Sequence, residues 1–205
     1  MAMASNPVGL VIRPATADDG DALYDICLRT ANAGVDATAL YSDPRLPGYI
    51  WAAPYGVLAP DFAFMLASPG HTIGYVIGTP DSWAFARRQA TEWWPQVRAA
   101  LRDFVPKTPH DRAALANIHQ PEIEDAWLAE EYPAHLHINI LPEAQSGGWG
   151  RRLINTELAA LNAAGVTGVH LGVAPQNERA IGFYRHVGFE DISRGGGVTF
   201  GLKFR

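Results

Sequence analysis

The order of local signals along the chain predicts a mixed α/β fold, a sheet with parallel and antiparallel strands and helices on its faces. Three observations carry this. Strand-like and helix-like segments follow one another as strand–helix, hairpin, helical stretch, strand–helix, strand–helix and closing hairpin, an order that needs a layered α/β architecture. One of those strand–helix junctions, His135 to Arg152 (HLHINILPEAQSGGWGRR), carries a glycine-bearing loop between its two elements. The chain is 48% apolar and 18% charged, an ordinary globular balance. With 205 residues it fits one domain with a sizeable core. We place that domain at 8–205, with a helical insertion at 82–133 between the third and fourth strands and a flexible tail at 1–7.

Leu10-Val11-Ile12 reads as the first strand, ended by Arg13-Pro14. Thr16 with Asp18-Asp19 starts a helix, because a hydroxyl caps free N–H groups and acids suit the helix dipole. Ala22, Leu23, Ile26 and Thr30 then recur at helical spacing. From Asn32 to Pro60 the prolines and glycines break any long element, and Tyr41, Tyr49, Trp51 and Tyr55 make the segment aromatic. It reads as an irregular stretch, either a packed loop or a binding lid. Phe62 to Leu66 and Thr72 to Gly78 form a hairpin about Ser68-Pro69-Gly70. The insertion suggests one helix on Trp83, Phe85, Ala86 and Ala90 and another on Trp94, Val97, Leu101 and Phe104. Pro95 lies in the second helix's first turn or kinks a continuous one. His135 to Leu141 is the next strand, and the following helix carries Trp149, Leu153, Ile154, Leu158 and Leu161 up to Gly165. Val169 to Ala174, a helix holding Ala180, Ile181, Phe183 and Tyr184 up to Gly188, and a hairpin about Gly195-Gly196-Gly197 complete the chain.

Several function classes fall away on composition. The formal net charge of −5 gives no electrostatic reason to expect a nucleic-acid partner. No uncharged apolar run approaches the roughly 20 residues that span a bilayer, and the N-terminus lacks a basic start followed by an apolar core. The single cysteine, Cys27, excludes an internal disulfide and suits a reducing, cytoplasmic setting; its apolar helical neighbours make it a packing residue. His71, His110, His119, His170 and His186 show no spacing that argues for a metal.

The glycine-bearing junction is where chemistry enters. The first N–H groups of a helix have no partner and the dipole adds positive charge, so a strand–glycine–helix junction can cradle an anion. Gln145-x-x-Gly148-x-Gly150, preceded by a strand and Pro142, resembles the pyrophosphate-binding motif of the GNAT superfamily of acyl-CoA-dependent N-acetyltransferases. The run Val173-Ala174-Pro175-Gln176-Asn177-Glu178-Arg179-Ala180-Ile181-Gly182-Phe183-Tyr184, with Gly188-Phe189 after it, resembles that family's second motif. TIGYVIGTPD, the Trp93-Trp94-Pro95 helix and Tyr132-Pro133 look like the acetyltransferase-like domains related to the C-terminal part of O-GlcNAcase. The resemblance covers most of the chain except the insertion.

That resemblance implies the acyl-CoA N-acyltransferase fold and transfer of acetyl from acetyl-CoA, without a metal, to a small amine or to an amine of a protein or peptide. It implies a monomer or homodimer. It also implies that the cofactor contacts Ile138, Ile140 and Leu141 on the strand, and Gln145, Ser146, Gly147, Gly148, Trp149, Gly150 and Arg151 on the loop and helix start. On the last helix it implies contacts from Asn177, Ala180, Phe183 and Tyr184. Arg151 or Arg152 adds charge at the pyrophosphate, the Ile140 N–H faces the thioester carbonyl, and Tyr184 protonates the departing thiolate. His135, His137 and Asn139 share one face of their strand. The resemblance puts a His-x-His pair or a glutamate near this point as general base, and an unperturbed imidazole pKa near ~6.5 suits that task. In the O-GlcNAcase-like relatives an aspartate is expected where Asn139 stands, and an amide cannot take a proton. The base is therefore His137, His135 or absent, and a binding module that holds acyl-CoA or a peptide is the alternative. Asp36 and the segment from Tyr41 to Tyr55, in the loop after the first helix, are candidates for the acceptor side, with solvated turn and packed aromatics as their plainer roles.

Overall fold

Seven strands form one sheet in a computed structural model that describes residues 9–145 and 147–204. The expected tail at 1–7 and Ser146 of the loop lie outside the described residues. The strands are β1 (Val11–Pro14), β2 (Ala63–Ser68), β3 (His71–Thr79), β4 (Ala134–Ile140), β5 (Gly168–Val173), β6 (Glu190–Asp191) and β7 (Val198–Lys203). Their spatial order is β1-β2-β3-β4-β5-β7-β6. Each of the first four runs antiparallel to its neighbour, β4 and β5 are parallel, and β7 runs antiparallel to both β5 and β6. The mixed α/β sheet expected from the order of elements is thus the observed one.

Between β1 and β2 lie α1 (Gly20–Leu28), α2 (Leu46–Trp51) and α3 (Ala53–Leu58). The last two correct the reading of 32–60 as irregular. Pro47 and Pro54 each sit in a first helical turn, where a missing N–H costs nothing and a fixed φ favours the helix. The residues taken as breakers are starters. Leu46, Ile50 and Tyr55 are buried, so the segment is a packed cover over the sheet. Gly48 lets it come close: a Cβ there would lie 2.3 Å from Tyr24 Cδ1 on α1.

Between β3 and β4 run α4 (Ser82–Arg88), α5 (Trp94–Ala100), α6 (Pro109–His119) and α7 (Ala126–Glu131). A π-helical turn, Gln89–Trp93, joins α4 to α5 just before Pro95, the kind of widened turn that lets a helix absorb a proline. The excursion begins and ends at one point, because the Ser82 N–H and hydroxyl both donate to the Pro133 carbonyl, at 2.8 and 2.9 Å. It is tied to the cover by Asp111, whose fully buried carboxylate accepts from the N–H groups of Ser42, Lys107 and Thr108 and from the Ser42 hydroxyl. Burial alone would raise its pKa, but these four donors hold the carboxyl well below its usual range.

Two further helices, α8 (Trp149–Ala163) and α9 (Glu178–His186), follow β4 and β5. Both end as their glycines predict. Gly165 (φ +77°) and Gly188 (φ +99°) take the left-handed conformation. Val166 N–H then bonds Leu161 C=O, and Phe189 N–H bonds Tyr184 C=O, the Schellman arrangement that satisfies last-turn carbonyls. In α9 this closure also places the Phe189 ring 5.8 Å from that of Tyr184, which fixes Tyr184 at the end of the helix. Among the described residues no helix is long and apolar enough to cross a membrane.

One residue of α8 opposes the pattern. Glu157 stands among Leu153, Ile154 and Leu161 on the buried face, fully enclosed, and neither carboxylate oxygen has a hydrogen-bond partner. Burial pushes its pKa up to about 8, so it is carried as a neutral acid at pH 7. The unfolded chain ionises this group near 4.5 while the folded chain holds the proton to about 8. Folding stability therefore falls as pH rises through that window, by at most ~1.4 kcal/mol per pH unit. Glu157→Gln should flatten this dependence. Urea midpoints at pH 5.5 and 8.5 check it: the wild type should lose clearly more stability between the two than the variant, and equal losses would show that Glu157 does not titrate in the folded chain.

Candidate functional site

The site begins where two strands stop pairing. β4 and β5 are matched at Ala134↔Val169 and His135↔His170 only, although β4 continues to Ile140 and β5 to Val173. Beyond His135 they part, and a cavity of about 730 Å³ lies at the opening, within the size range of small-molecule sites. It is lined by Ile138, Asn139 and Ile140 from β4, Gly148, Gly150 and Arg151 at the start of α8, and Asn177, Ala180, Phe183 and Tyr184 from α9. Thr30 and Ala33–Val35, after α1, close a further side.

Hydrogen-bond alternation tells which β4 groups face the opening. Leu141 N–H donates to Ile73 C=O on the β3 side at 2.9 Å. In an antiparallel ladder the next residue points its N–H and C=O the other way, so those of Ile140 face the gap left by β5. Gln145 Nε2 donates to that Ile140 carbonyl at 2.7 Å, and Arg179 in turn donates to Gln145 Oε1. Gln145 thereby ties the loop to the strand end, and the Ile140 N–H remains aimed into the cavity.

The helix start is built for close approach. Gly148 has φ +76° with open space where a Cβ would stand, and α8 begins at the next residue. Gly150 lies under Phe183, where a Cβ would come within 3.1 Å of the ring. Arg151 Nη2 is 2.7 Å from His186 Nε2 at the cavity mouth, while Arg152 stacks on the Trp149 ring at 4.6 Å. Of the two arginines, Arg151 is therefore the one at the cavity. Leu141 is fully buried and Trp149 packs against the core; these two and Gly147 are not among the lining residues.

On α9, Asn177 Oδ1 caps the helix by accepting from Ala180 N–H at 3.1 Å, and its Nδ2 faces Gly34. Tyr184 is 7% exposed. Among the described residues its hydroxyl has no hydrogen-bond partner, yet it is not one of the atoms closed off from solvent, so it opens onto the cavity it lines. Burial pushes its pKa up, which keeps the phenol protonated and able to donate.

The polar face of β4 is covered. Tyr55 Oη lies 2.7 Å from His135 Nε2 and 3.0 Å from His137 Nε2, Phe85 stacks on Tyr55, and Ser82 Oγ lies 2.7 Å from His135 Nδ1. Desolvation, and then His170, push His137 down to about 4, with Glu124 opposing; the same burial, then His137 and His170, takes His135 well below its usual value. The unperturbed imidazole expected from sequence is thus replaced by two rings that are neutral at pH 7. Asn139 lines the cavity and its Nδ2 donates to the Tyr75 hydroxyl at 2.7 Å. Glu124, His135 and His170 bring ligand-type atoms within 4.8 Å of one another. Both nitrogens of each ring already have protein partners, and we assign no ion there.

The acceptor-side candidates stand apart. Asp36 turns back on Thr38, accepting from its N–H and hydroxyl at 2.8 and 2.6 Å, and Tyr41 packs edge-on to His110; neither lines the cavity. Their neighbours Ala33, Gly34 and Val35 do. Sequence reading passed over Ser82 and took Tyr55 only as one of the aromatics of the 41–55 segment. Only the alternation of His135 and His137 hinted that something polar must meet that face.

The family model for Acetyltransferase (GNAT) matches residues 38–189. The crystal structure of SsHAT is similar over 95% of this chain and 98% of that one, with 37% sequence identity and a TM-score of 0.86. Protein O-GlcNAcase of Rattus norvegicus is 23% identical over 187 residues, which is 89% of this chain, and the chain spans 20% of that relative's length. The yncA protein of Salmonella typhimurium, in a structure with its cofactor acetyl-CoA, shares the fold at 14% identity and a TM-score of 0.54, covering 95% and 94% of the two chains.

Proposed function

Because the chain belongs to the acetyltransferase (GNAT) family, we propose that it moves the acetyl group of acetyl-CoA directly onto an amine bound in the same complex. The observation that carries this is the parting of β4 from β5 with the Ile140 N–H facing the opening. A donor at that point stabilises the oxyanion that develops when an amine attacks a thioester. The N–H groups at the start of α8, with Arg151 beside them, hold the pyrophosphate of the substrate. Asn177, Ala180 and Phe183 line its path. Tyr184, protonated and open to the cavity, gives its proton to the departing thiolate. The amine loses its proton to His137 or His135 through water. The acceptor is a small amine or an amine of a protein or peptide.

A second reading has a specific observation behind it. Asn139 is an amide committed to Tyr75, and burial makes both histidines weaker bases than a free imidazole. A module that binds acyl-CoA without turning it over has these features. Calorimetric titration of acetyl-CoA followed by assay of CoA release with a panel of amines separates the two: release supports transfer, whereas tight binding with no release across the panel supports the module.

Two substitutions test the assignments within the transfer reading. Tyr184→Phe should lower kcat by about 10²-fold while acetyl-CoA affinity stays within a few-fold, and unchanged turnover would remove Tyr184 from the chemistry. Gly148→Leu should weaken acetyl-CoA binding by at least roughly tenfold, because a side chain enters the cradle and the left-handed backbone costs ~1–2 kcal/mol. Wild-type affinity in that variant would contradict the cradle.

A further inference from the structure

We propose that Tyr55 joins His137 and His135 into one proton relay, so that a proton taken up at His137 Nδ1 is shared with His135. Its use in catalysis rests on the acetyl-transfer reading, but the relay itself stands on the hydrogen-bond geometry.

A single arrangement of hydrogens satisfies every contact along the chain of groups. Pro133 C=O can only accept, and Ser82 Oγ lies 2.9 Å from it, so the one Ser82 hydroxyl hydrogen goes there. Ser82 Oγ must then accept at its 2.7 Å contact, which puts the hydrogen on His135 Nδ1. A neutral His135 therefore carries a bare Nε2, and that nitrogen accepts the Tyr55 O–H at 2.7 Å. With its only hydrogen used, the Tyr55 oxygen accepts from His137 Nε2–H at 3.0 Å. His137 Nδ1 is left bare. Among the described residues it has no protein partner, and it is not one of the atoms closed off from solvent. The chain thus has one open end, and that end is a base.

Proton movement along it balances. A proton arriving at His137 Nδ1 makes an imidazolium, which passes its Nε2 hydrogen to the Tyr55 oxygen as Tyr55 gives its own hydrogen to His135 Nε2. His137 and Tyr55 finish neutral and His135 finishes as the cation; reversal of the same steps returns the proton to solvent. The groups facing His135 oppose a lasting charge there, so the cation passes back and forth between the two rings. His170 of β5 lies 5.7 Å away ring to ring, its Nδ1 donating to Tyr132 C=O and its Nε2 against Glu124. Glu124 Oε2 is enclosed without a hydrogen-bond partner. The remaining titratable neighbour, Tyr75, faces Asn139 one step further along β4. Two imidazoles and a phenol from α3 act as one acceptor, with the charge able to move between the two rings. Tyr55 is a coupling residue in this scheme and touches no substrate.

Long-range ¹⁵N–¹H spectra of the histidine side chains in the wild-type protein at pH 7 give the direct test. The expected result is opposite tautomers, the hydrogen on Nδ1 in His135 and on Nε2 in His137. A hydrogen on Nε2 of both rings would overturn the proposal, because both would then donate to the Tyr55 oxygen and no path would connect them. Tyr55→Phe, first checked for acetyl-CoA affinity, should release His137 into a mixture of tautomers. With an amine that the wild type accepts, it should also lower kcat about tenfold or more and move the acid limb of the pH–kcat profile, with the KM for acetyl-CoA unchanged. An unaltered kcat and profile would contradict a relay. If the wild type releases no CoA with any amine, the transfer reading fails, and the tautomers still decide whether the relay exists.

Discussion

Everything at the candidate site depends on β4 and β5 sharing only two matched residues. A fully paired parallel ladder would have consumed the Ile140 N–H and sealed the space that Ile138, Tyr184 and the start of α8 now border. The separation also explains the placement of the two helices. Each follows one of the two strands, so the N-terminus of α8 and the face of α9 open on the same gap. Gln145 spans the gap's edge by bonding the Ile140 carbonyl, the last β4 carbonyl to face it. A cavity, a free donor and a helix N-terminus are consequences of one interrupted ladder.

The other face of β4 carries a different constraint. His135 and His137 lie under the cover formed by α3 and α4, where desolvation favours their neutral forms. Burying two polar rings needs partners, and Tyr55 and Ser82 supply them. The helical stretch between β3 and β4 therefore does more than shield the sheet. Its first residue, Ser82, both anchors the excursion on Pro133 and fixes one end of the histidine pair. Fold closure and side-chain chemistry share that single hydroxyl.

Local signals were legible because they are enforced by the backbone. Gly165 and Gly188 take the left-handed conformation that their places after a helix suggested, and the strand alternation of His135, His137 and Asn139 survives in the sheet register. Proline chemistry was read in the wrong sense at Pro47 and Pro54, which open helices where a break was expected. What could not be read was anything joined across the chain. Tyr55 meets His135 from 80 residues away, and no periodicity records that contact or the pKa change that burial brings. The acceptor-side candidates fall just outside the cavity lining for a similar reason. Asp36 closes its own turn, while Gly34, two residues earlier, reaches the cavity only because Asn177 of a distant helix lies against it.

The most direct measurement of the central idea is the amide spectrum of ¹⁵N-labelled protein titrated in parallel with acetyl-CoA and with CoA. The account predicts that both ligands shift the amides from Gly147 to Arg151, and that acetyl-CoA alone moves the Ile140 amide markedly downfield, as a donor to the thioester carbonyl should. Saturable binding of acetyl-CoA that leaves Ile140 where CoA leaves it would contradict the role given to the parted strands.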